Sequence, residues 1–367
     1  MKNVLITGAT GFLGSYLLKE LLEDKNVCPI VIARSKKDMT VADRMDGVLR
    51  YFYGENSKEF LKRIKIIEGE VDKESMGIDS NTRAYLIDSV DEIYHSAAIA
   101  QFRVPLEKIR KTNVDGARRV FDLAMECRNN GRFKKVNHIS TTYVVGTRQG
   151  VAYERELSVG QGFNNTYEQT KFEAELLACE YRKKGLNISI FRPSILTGDS
   201  ISGKTSNFKM LYQPLHFLAE ELFEAAPVDR FSKENLMPVD TAAKAIVALA
   251  SIKESTDKTY HISHPDTVEI GHFIDLASDF FGFKKPEMAP LRDFNMDRMS
   301  VVQKKLIGPY VPYFNYNIEF NSLYTQNILK KIGLEYPPVN DKFLLKLFAY
   351  CLKSGFIKRK KLYATCG

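Results

Sequence analysis

Residues 4–14 read Val-Leu-Ile-Thr-Gly-Ala-Thr-Gly-Phe-Leu-Gly, an apolar run followed by glycines at positions 8, 11 and 14. The apolar run is typical of a buried strand, and residues 15–23 have the apolar spacing of a helix. Glycine permits positive φ and close backbone approach, and the start of a helix presents free N–H groups to an anion. The stretch therefore predicts a strand–turn–helix unit that binds the diphosphate of a dinucleotide, with a purely structural turn as the alternative.

Strands continue to alternate with helical segments along the chain. The apolar patterns predict six strands, at residues 4–6, 29–33, 64–71, 90–98, 134–139 and 187–193. This alternation is typical of an α/β protein with a doubly wound parallel sheet, the Rossmann fold. We predict that residues 1–197 plus 239–259 form the dinucleotide-binding domain. Residues 198–238 plus 260–367 are predicted to form a smaller, mainly helical, substrate-binding part.

The end of the second predicted strand carries a cation. An Asp or Glu at this place accepts the ribose 2′-hydroxyl of NAD(H), whereas a cation suits the 2′-phosphate of NADP(H). This chain has Arg34 there, with Lys36 and Lys37 close by and Arg44 in the next segment. NADP(H) is therefore the predicted cofactor; the alternative is that Arg34 is a solvated surface residue.

Tyr167 and Lys171 are four residues apart in a predicted helix, so their side chains share one face. A Lys ammonium beside a phenol is expected to lower the pKa of the Tyr toward neutrality, and such a phenol can give a proton to a carbonyl oxygen. Thr141 ends the fifth predicted strand, and the carboxyl ends of parallel strands meet at one edge of the sheet. We therefore expect Thr141, Tyr167 and Lys171 to meet near the glycine turn. For the pair by itself, an exposed helical pair is the alternative.

Several motifs together resemble the extended branch of the short-chain dehydrogenase/reductase family. They are residues 7–14 (TGATGFLG), 95–98 (HSAA), 113–116 (NVDG), 139–146 (ISTTYVVG), 167–171 (YEQTK), 192–193 (RP) and 237–246 (MPVDTAAKAI). The resemblance implies that Thr141 hydrogen-bonds the substrate oxygen, with Ser140 and Thr142 as the adjacent alternatives. It implies that Tyr167 is the general acid and that Lys171 contacts the nicotinamide ribose. The implied cofactor contacts are Thr7, Gly8, Thr10, Gly11, Phe12, Leu13, Gly14, Arg34, Arg44, Glu70, Val71, Ser96, Ala97, Ala98, Asn113, Tyr167, Lys171, Pro193, Ser194 and Ile195.

Within that branch, the chain is similar to the thioester reductase-like, or male-sterility, group. This group includes terminal reductases of peptide and polyketide assembly lines, carboxylic acid reductases and fatty acyl-CoA reductases. The likeness lies in residues 42–45 (ADRM), 90–102 (VDEIYHSAAIAQF) and 192–203 (RPSILTGDSISG), and in tail segments 312–314, 320–329 and 333–338. Glu70 departs from the usual Asp of the adenine segment. The sequence carries no adenylation or carrier domain pattern, which leaves a separate carrier protein or coenzyme A as the acyl donor.

Composition favours a cytoplasmic enzyme. The chain has 367 residues, 44% hydrophobic and 27% charged, which suits a soluble globular protein. No signal peptide or membrane span is predicted, and five Cys without Cys-x-x-Cys spacing predict free thiols. The His pattern predicts no metal site. Net charge is +8, but no basic motif interleaved with aromatic residues predicts nucleic-acid binding; cofactor phosphates, an acidic carrier or coenzyme A would account for the basicity.

Two C-terminal segments leave alternatives open. Residues 208–226 form an apolar helical stretch that either lines an acyl pocket or is ordinary core. Residues 342–361 form a basic amphipathic helix, for which a packed terminal helix is favoured over contact with a membrane surface.

The combined expectation is an NADPH-dependent reductase that converts an acyl thioester to an aldehyde, with further reduction to the alcohol left open. Thr141 and Tyr167 would stabilise the developing oxyanion, and Tyr167 would donate a proton. The rival enzymes are a reductase of free carbonyls and a nucleotide-sugar epimerase or dehydratase of the same extended family. A non-catalytic NADP-sensing protein is the third class.

Overall fold

The computed structural model describes residues 1–36, 38–252 and 256–359. Lys37 and the last two residues of the basic segment 342–361 lie outside the described residues. The strands are β1 (Lys2–Thr7), β2 (Val27–Ala33), β3 (Lys65–Glu68), β4 (Glu92–His95), β5 (Lys135–Ile139), β6 (Gly150–Tyr153), β7 (Ile188–Pro193), β8 (Ile195–Thr197), β9 (Ala225–Pro227), β10 (Lys233–Glu234), β11 (Leu236–Pro238), β12 (Thr259–Ile262), β13 (Val268–Glu269), β14 (Glu287–Ala289) and β15 (Ile318–Asn321).

The helices begin after the glycine turn and alternate with these strands. They are α1 (Phe12–Glu23), α2 (Val41–Tyr53), α3 (Ser57–Leu61), α4 (Ser80–Ser89), α5 (Leu106–Asn113), α6 (Asp115–Asn129), α7 (Thr166–Lys183), α8 (Tyr212–Ala219), α9 (Val239–Ser251), α10 (Ile270–Phe281), α11 (Val301–Ile307), α12 (Val311–Phe314), α13 (Leu323–Lys331) and α14 (Asp341–Lys353).

Seven parallel strands form the central sheet, in the order β12-β7-β5-β4-β1-β2-β3. This confirms the predicted doubly wound α/β fold. The chain runs outward from β1 in both directions, so the ends of β1 and β4 lie at the point where the strand order reverses. Ligands of such sheets bind in the crevice at that point.

Six of the seven strands correspond to the predicted ones, and β12 was not predicted. β12 pairs with β7 from Thr259 to Ile262, which brings residues 260–262 into the sheet rather than into the substrate-binding part. The sequence does not single out this strand, because it has only four residues and two of them, Thr259 and His261, are polar. The remaining division of the chain into two parts stays a prediction.

Alternation along β1 fills the two faces of the sheet. Val4 and Ile6 pack with α1, α2 and α9 on one face, whereas Leu5 packs with α4, α6 and α7 on the other. All three side chains are fully buried. The glycine turn is therefore anchored in both layers, which fixes its position at the sheet edge.

The C-terminal part has an apolar core of its own, built mainly from α8, α10, α12 and α14. β15 of this part pairs in parallel with β6, which follows Thr141 by nine residues in the chain. Phe343, Leu347 and Phe348 of α14 are buried in this core, so the apolar face of the basic segment packs against protein. Within the described residues, no helix combines the length and apolar character needed to cross a membrane.

Candidate active site

The glycine turn has the close packing that a dinucleotide turn requires. Gly8 has φ +78°, and a Cβ added to it would lie 2.5 Å from the Ala97 backbone nitrogen. A Cβ on Gly14 would lie 2.1 Å from the Gly8 carbonyl oxygen. Gly11 caps α1 without a side-chain hydrogen bond, and the first turn of α1 holds no acidic residue. The N–H groups that open α1 are therefore available to an anion.

A groove of about 900 Å³ runs along this edge of the sheet. Ten of the predicted cofactor residues line it: Gly8, Thr10, Gly11, Arg34, Arg44, Glu70, Val71, Ser96, Ala97 and Ala98. The groove also has lining residues that the motifs did not indicate, among them Asp72, Lys108 and Lys111. Because α5 supplies the two lysines from beyond the fourth strand, only the tertiary fold brings them here.

Two arginines meet at the end of β2. Arg44 donates a hydrogen bond to the Thr10 hydroxyl at 2.7 Å and another to the Arg34 carbonyl oxygen. Burial and the nearby Arg34 charge both lower the pKa of Arg44. The Arg34 guanidinium pairs with Glu70, which therefore neutralises one of the two cations. The arrangement leaves the positive charge of Arg44 at the end of β2.

The three predicted catalytic residues come together. The Tyr167 phenol lies close enough to the Thr141 hydroxyl for that hydroxyl to lower its pKa, and the Thr141 hydroxyl donates to the Pro193 carbonyl oxygen at 3.4 Å. Lys171 is buried, and its ammonium donates to the Ile139 carbonyl oxygen at 2.6 Å. Thr141 follows β5 and Tyr167 opens α7, so the site sits where strand and helix ends converge.

The expected lowering of the Tyr167 pKa is wrong for this structure. Burial raises the pKa of Tyr167 to about 12, the Glu168 carboxylate adds to the rise, and only the hydrogen bond from Thr141 opposes it. Burial also lowers the pKa of Lys171 to about 8. Lys171 is directed to a backbone carbonyl rather than to the phenol, so it does not stabilise the phenolate here. A phenol with a raised pKa is a proton donor at neutral pH.

Other predicted cofactor residues lie in the supporting structure around the groove. The Thr7 hydroxyl is fully buried and bonds His95 Nδ1 at 2.7 Å, and Leu13 packs in the core. Phe12 makes an edge contact with the Tyr16 ring. Asn113 exchanges hydrogen bonds with the backbone of Ile99 and donates to the Thr170 hydroxyl at 3.0 Å. It thereby links the loop after β4 to the residue before Lys171.

The residues fit a bound dinucleotide on the evidence of their polar atoms as well. The buried hydroxyls of Ser140, Thr142 and Ser194 have no hydrogen-bond partner among the described residues. All three flank Thr141 or Pro193, beside the catalytic pair. Buried hydroxyls normally have a partner, so these three hydroxyls are free to bond a ligand placed beside Thr141 and Pro193.

Comparison with known proteins decides the family. Residues 6–246 match a family of NAD-binding domains described as male sterility protein. The chain belongs to this family. It is thus a member of the thioester reductase-like group of extended short-chain dehydrogenases/reductases, as the motifs predicted, and a nicotinamide dinucleotide is its cofactor.

Individual relatives of this male-sterility family member agree with the assignment. The crystal structure of the terminal R domain from the myxalamid PKS-NRPS biosynthetic pathway superposes with a TM-score of 0.86, at 26% identity over 98% of this chain and 93% of that one. A linear gramicidin synthase chain of Brevibacillus parabrevis is 23% identical over 96% of this chain but only 7% of its own length. L-2-aminoadipate reductase of Saccharomyces cerevisiae is 29% identical over 67% of this chain and 18% of its own. The male-sterility chain therefore spans a small fraction of these curated relatives.

An apolar cavity of about 70 Å³ lies in the C-terminal core of this family member. Its wall includes Ile195, which follows the Pro193–Ser194 segment, and a set of residues from the predicted apolar stretch: Met210, Leu211, Pro214, Leu215, Phe217, Leu218, Phe223 and Ala226. Glu234 is its single carboxylate, and burial raises the pKa of that carboxyl to about 8. The stretch 208–226 thus lines a cavity as well as contributing to the core.

Sequence reasoning missed the residues that brace the start of α7. Asn165 caps the helix by accepting from the Glu168 N–H at 3.0 Å, and donates to the Tyr313 hydroxyl at 2.7 Å. Tyr313 in turn donates to the buried Glu168 carboxylate. The only sequence signal was the resemblance of residues 312–314 to a tail segment, which did not indicate a contact with α7. The network fixes the backbone that carries Tyr167.

Within the described ranges, no cluster of three or more His, Cys, Asp or Glu side chains is arranged to hold a metal ion.

Proposed function

We propose that this protein is an NADPH-dependent reductase that converts an acyl thioester to an aldehyde and a free thiol. The observation that carries the proposal is the pair Thr141–Tyr167, which neighbouring residues link both to an apolar cavity and to the dinucleotide groove. Asn113 makes the link to the groove, because it bonds Ile99 in the groove wall and Thr170 on α7. Ile195 lines that cavity directly after the segment that faces Thr141. An acyl chain in the cavity would therefore present its carbonyl carbon at the catalytic pair.

The chemistry divides between cofactor and protein. The bound dinucleotide supplies a hydride, and with one proton the thioester then yields an aldehyde and a thiol. The hydroxyls of Thr141 and Tyr167 are placed to donate to the carbonyl oxygen as it gains negative charge. Because its pKa is raised to about 12, Tyr167 holds its proton at neutral pH and can transfer it to that oxygen.

Lys171 supplies a positive charge below the site. Its ammonium is buried and held by the Ile139 carbonyl oxygen at the end of β5, and Lys171 lies one turn along α7 from Tyr167. A buried cation near a developing oxyanion lowers the energy of the charged transition state. It would also be positioned to hydrogen-bond a ribose hydroxyl.

Preference for the phosphorylated dinucleotide is supported by the pair Arg34 and Arg44. Arg44 is fixed by Thr10, next to the turn that would hold the diphosphate, and Arg34 is more than half exposed. A planar guanidinium can make two parallel hydrogen bonds to a phosphate. The Glu70 carboxylate pairs with Arg34, and a bound 2′-phosphate would take the place of that carboxylate.

The thioester is the feature common to both acyl donors predicted from the sequence. The similar terminal R domain comes from a PKS-NRPS biosynthetic pathway, which favours an acyl group on a carrier protein. Coenzyme A presents the same pantetheine thioester. We therefore propose a pantetheine thioester as the substrate, and experiment will identify whether coenzyme A or a carrier protein is the donor.

The test is a substrate panel with purified protein. Consumption of NADPH is followed with decanoyl-pantetheine, decanoyl-CoA, decanal and 2-decanone, with Tyr167→Phe as the matched control. We expect turnover of a thioester by the native protein and a loss of at least about 100-fold in the variant. Turnover of the ketone or decanal without any thioester would reject the proposal in favour of a free-carbonyl reductase.

A further inference from the structure

A second groove, of about 320 Å³, lies between the loop after β4 and the C-terminal part. Its lining includes Phe102 and Arg103 from the loop, Lys209 and Gln213 beside α8, and Tyr310 before α12. Met210, Phe217 and Tyr310 line both this groove and the apolar cavity, so the two spaces share a wall. We refer to it as the loop groove.

The loop groove is attached directly to the catalytic helix. The Val104 carbonyl oxygen at its wall accepts a hydrogen bond of 2.8 Å from the hydroxyl of Thr166, the neighbour of Tyr167. The Phe102 ring stacks on Tyr313 at 5.5 Å, and Tyr313 is the residue that bonds Asn165 and Glu168. The preceding loop residues, 96–99, line the cofactor groove. The loop thus lies between the cofactor groove and the loop groove, and its Val104 contacts the helix that carries Tyr167.

The charge in the loop groove is entirely positive. Arg103 and Lys209 are both exposed, and the lining contains no Asp or Glu. Neither side chain has a hydrogen bond or ion pair within the part of the chain that the structure describes. Cations in a groove without carboxylates favour an anionic ligand, and a phosphate in particular.

A further pocket, lined by residues of β6 and β15, has a different character. It contains Lys233, but Glu234 and Glu319 line it as well. A phosphate placed there would face two carboxylates, one of them buried. The loop groove is therefore the better path for a phosphorylated ligand.

We propose that the loop groove holds the phosphopantetheine arm of the thioester substrate, with Arg103 and Lys209 binding its phosphate. This inference rests on the proposed function, because it assumes a thioester whose acyl end lies in the apolar cavity. The arm would run from the cations at the surface, past Phe102 and Tyr310, to the thioester carbonyl at Thr141 and Tyr167. The same phosphate is present in coenzyme A and on a carrier protein.

The experiment compares substrates with and without that phosphate. KM and kcat are measured for decanoyl-pantetheine, decanoyl-phosphopantetheine, decanoyl-CoA and a decanoyl carrier protein, in the native protein and in Arg103→Ala, Lys209→Ala and the double variant. Arg292→Ala and Lys62→Ala, which remove exposed cations that do not line the groove, are the matched controls.

We expect each single variant to raise the KM ratio of decanoyl-phosphopantetheine to decanoyl-pantetheine about 3- to 10-fold, and the double variant to raise it further. The ratio should be unchanged in the control variants, and it should move toward one as salt rises. A similar increase with both CoA and carrier protein identifies the shared phosphate; an increase confined to one of them identifies the donor that uses the groove.

An unchanged KM ratio in the double variant would overturn the phosphate site. Equal increases in KM for decanoyl-pantetheine and decanoyl-phosphopantetheine would also overturn it, because they would indicate a general distortion of the loop. Failure of the proposed function is distinct, since then no thioester would be reduced by the native protein at all.

Discussion

The ammonium of Lys171 donates a hydrogen bond of 2.6 Å to the carbonyl oxygen of Ile139, the last residue of β5. This contact holds a charged group inside the protein, directly below the edge where Thr141 and Tyr167 meet. Burial lowers the pKa of Lys171 to about 8 and raises the pKa of Tyr167 to about 12. Both features suit a site that donates a proton to a carbonyl oxygen.

Replacing Lys171 with Met should stabilise the fold and remove activity. Burial lowers the pKa of Lys171 from its ordinary 10.5 to about 8, so keeping this ammonium charged at pH 7 costs the folded protein stability. We expect the free energy of unfolding of Lys171→Met to rise by about 1–3 kcal/mol at pH 7, measured by urea denaturation. The gain should shrink between pH 8 and pH 10.5, because there the native Lys171 is already neutral when folded. Lower stability of the variant at pH 7 would mean that the ammonium is stabilising.

Activity should depend on pH through Lys171 and not through Tyr167. The value of kcat/KM for the dinucleotide, which reports the free enzyme, should fall as pH rises through about 8 because the Lys171 ammonium loses its charge. Tyr167, with a pKa of about 12, stays protonated over this range. The measurement is a kcat/KM profile from pH 6 to about 10. In Lys171→Arg, whose charge persists, the alkaline fall should disappear from whatever activity remains.

Replacing Arg34 should lower the preference for NADPH over NADH, and replacing Glu70 should raise it. Arg34→Ala should weaken NADPH binding about 10-fold with little effect on NADH, because a charge-assisted contact to the 2′-phosphate is lost. Glu70→Gln frees Arg34 from its carboxylate partner, so the preference for NADPH should increase. The Kd of both cofactors is measured by fluorescence titration. Tighter binding of NADH than of NADPH to the native protein would contradict the assignment.

Leu211 should control the length of the accepted acyl chain. It is half-buried on the wall of the apolar cavity, so Leu211→Trp should fill space and Leu211→Ala should create it. We expect the optimum of kcat/KM across C4 to C16 acyl-pantetheines to move to shorter chains in the Trp variant and to longer chains in the Ala variant. The ratio of kcat/KM for a short chain to that for a long chain should change by about 10-fold or more. Leu176, exposed on α7, provides the matched Trp and Ala controls. Parallel losses at all lengths would mean that the cavity does not hold the acyl chain.

The parts of the site that follow from short sequence patterns could be predicted. The turn at Gly8 and Gly14 and the helical pair Tyr167–Lys171 depend on local spacing, and six strands depend on apolar runs in the sequence. The brace between Asn165, Glu168 and Tyr313 could not be predicted, because Tyr313 is separated from Glu168 by 145 residues.

The direction in which the pKa of Tyr167 shifts could not be predicted from the sequence either. Spacing along a helix places Lys171 on the same face as Tyr167, but it does not say which acceptor the ammonium reaches. In the fold, β5 offers the Ile139 carbonyl oxygen, and burial then acts on both side chains. Desolvation depends on everything packed around a group, so it emerges only from the tertiary structure.

The most direct test of the central claim is the stoichiometry of a single reaction. Purified protein is incubated with NADPH and decanoyl-pantetheine; NADPH consumption, thiol release and decanal, trapped as its oxime and identified by mass spectrometry, are measured together at early times. We expect equimolar NADPH consumed, thiol released and decanal formed, with all three absent in Tyr167→Phe. Thiol release without NADPH consumption would indicate thioester hydrolysis, and either that result or the absence of decanal and decanol would contradict the account.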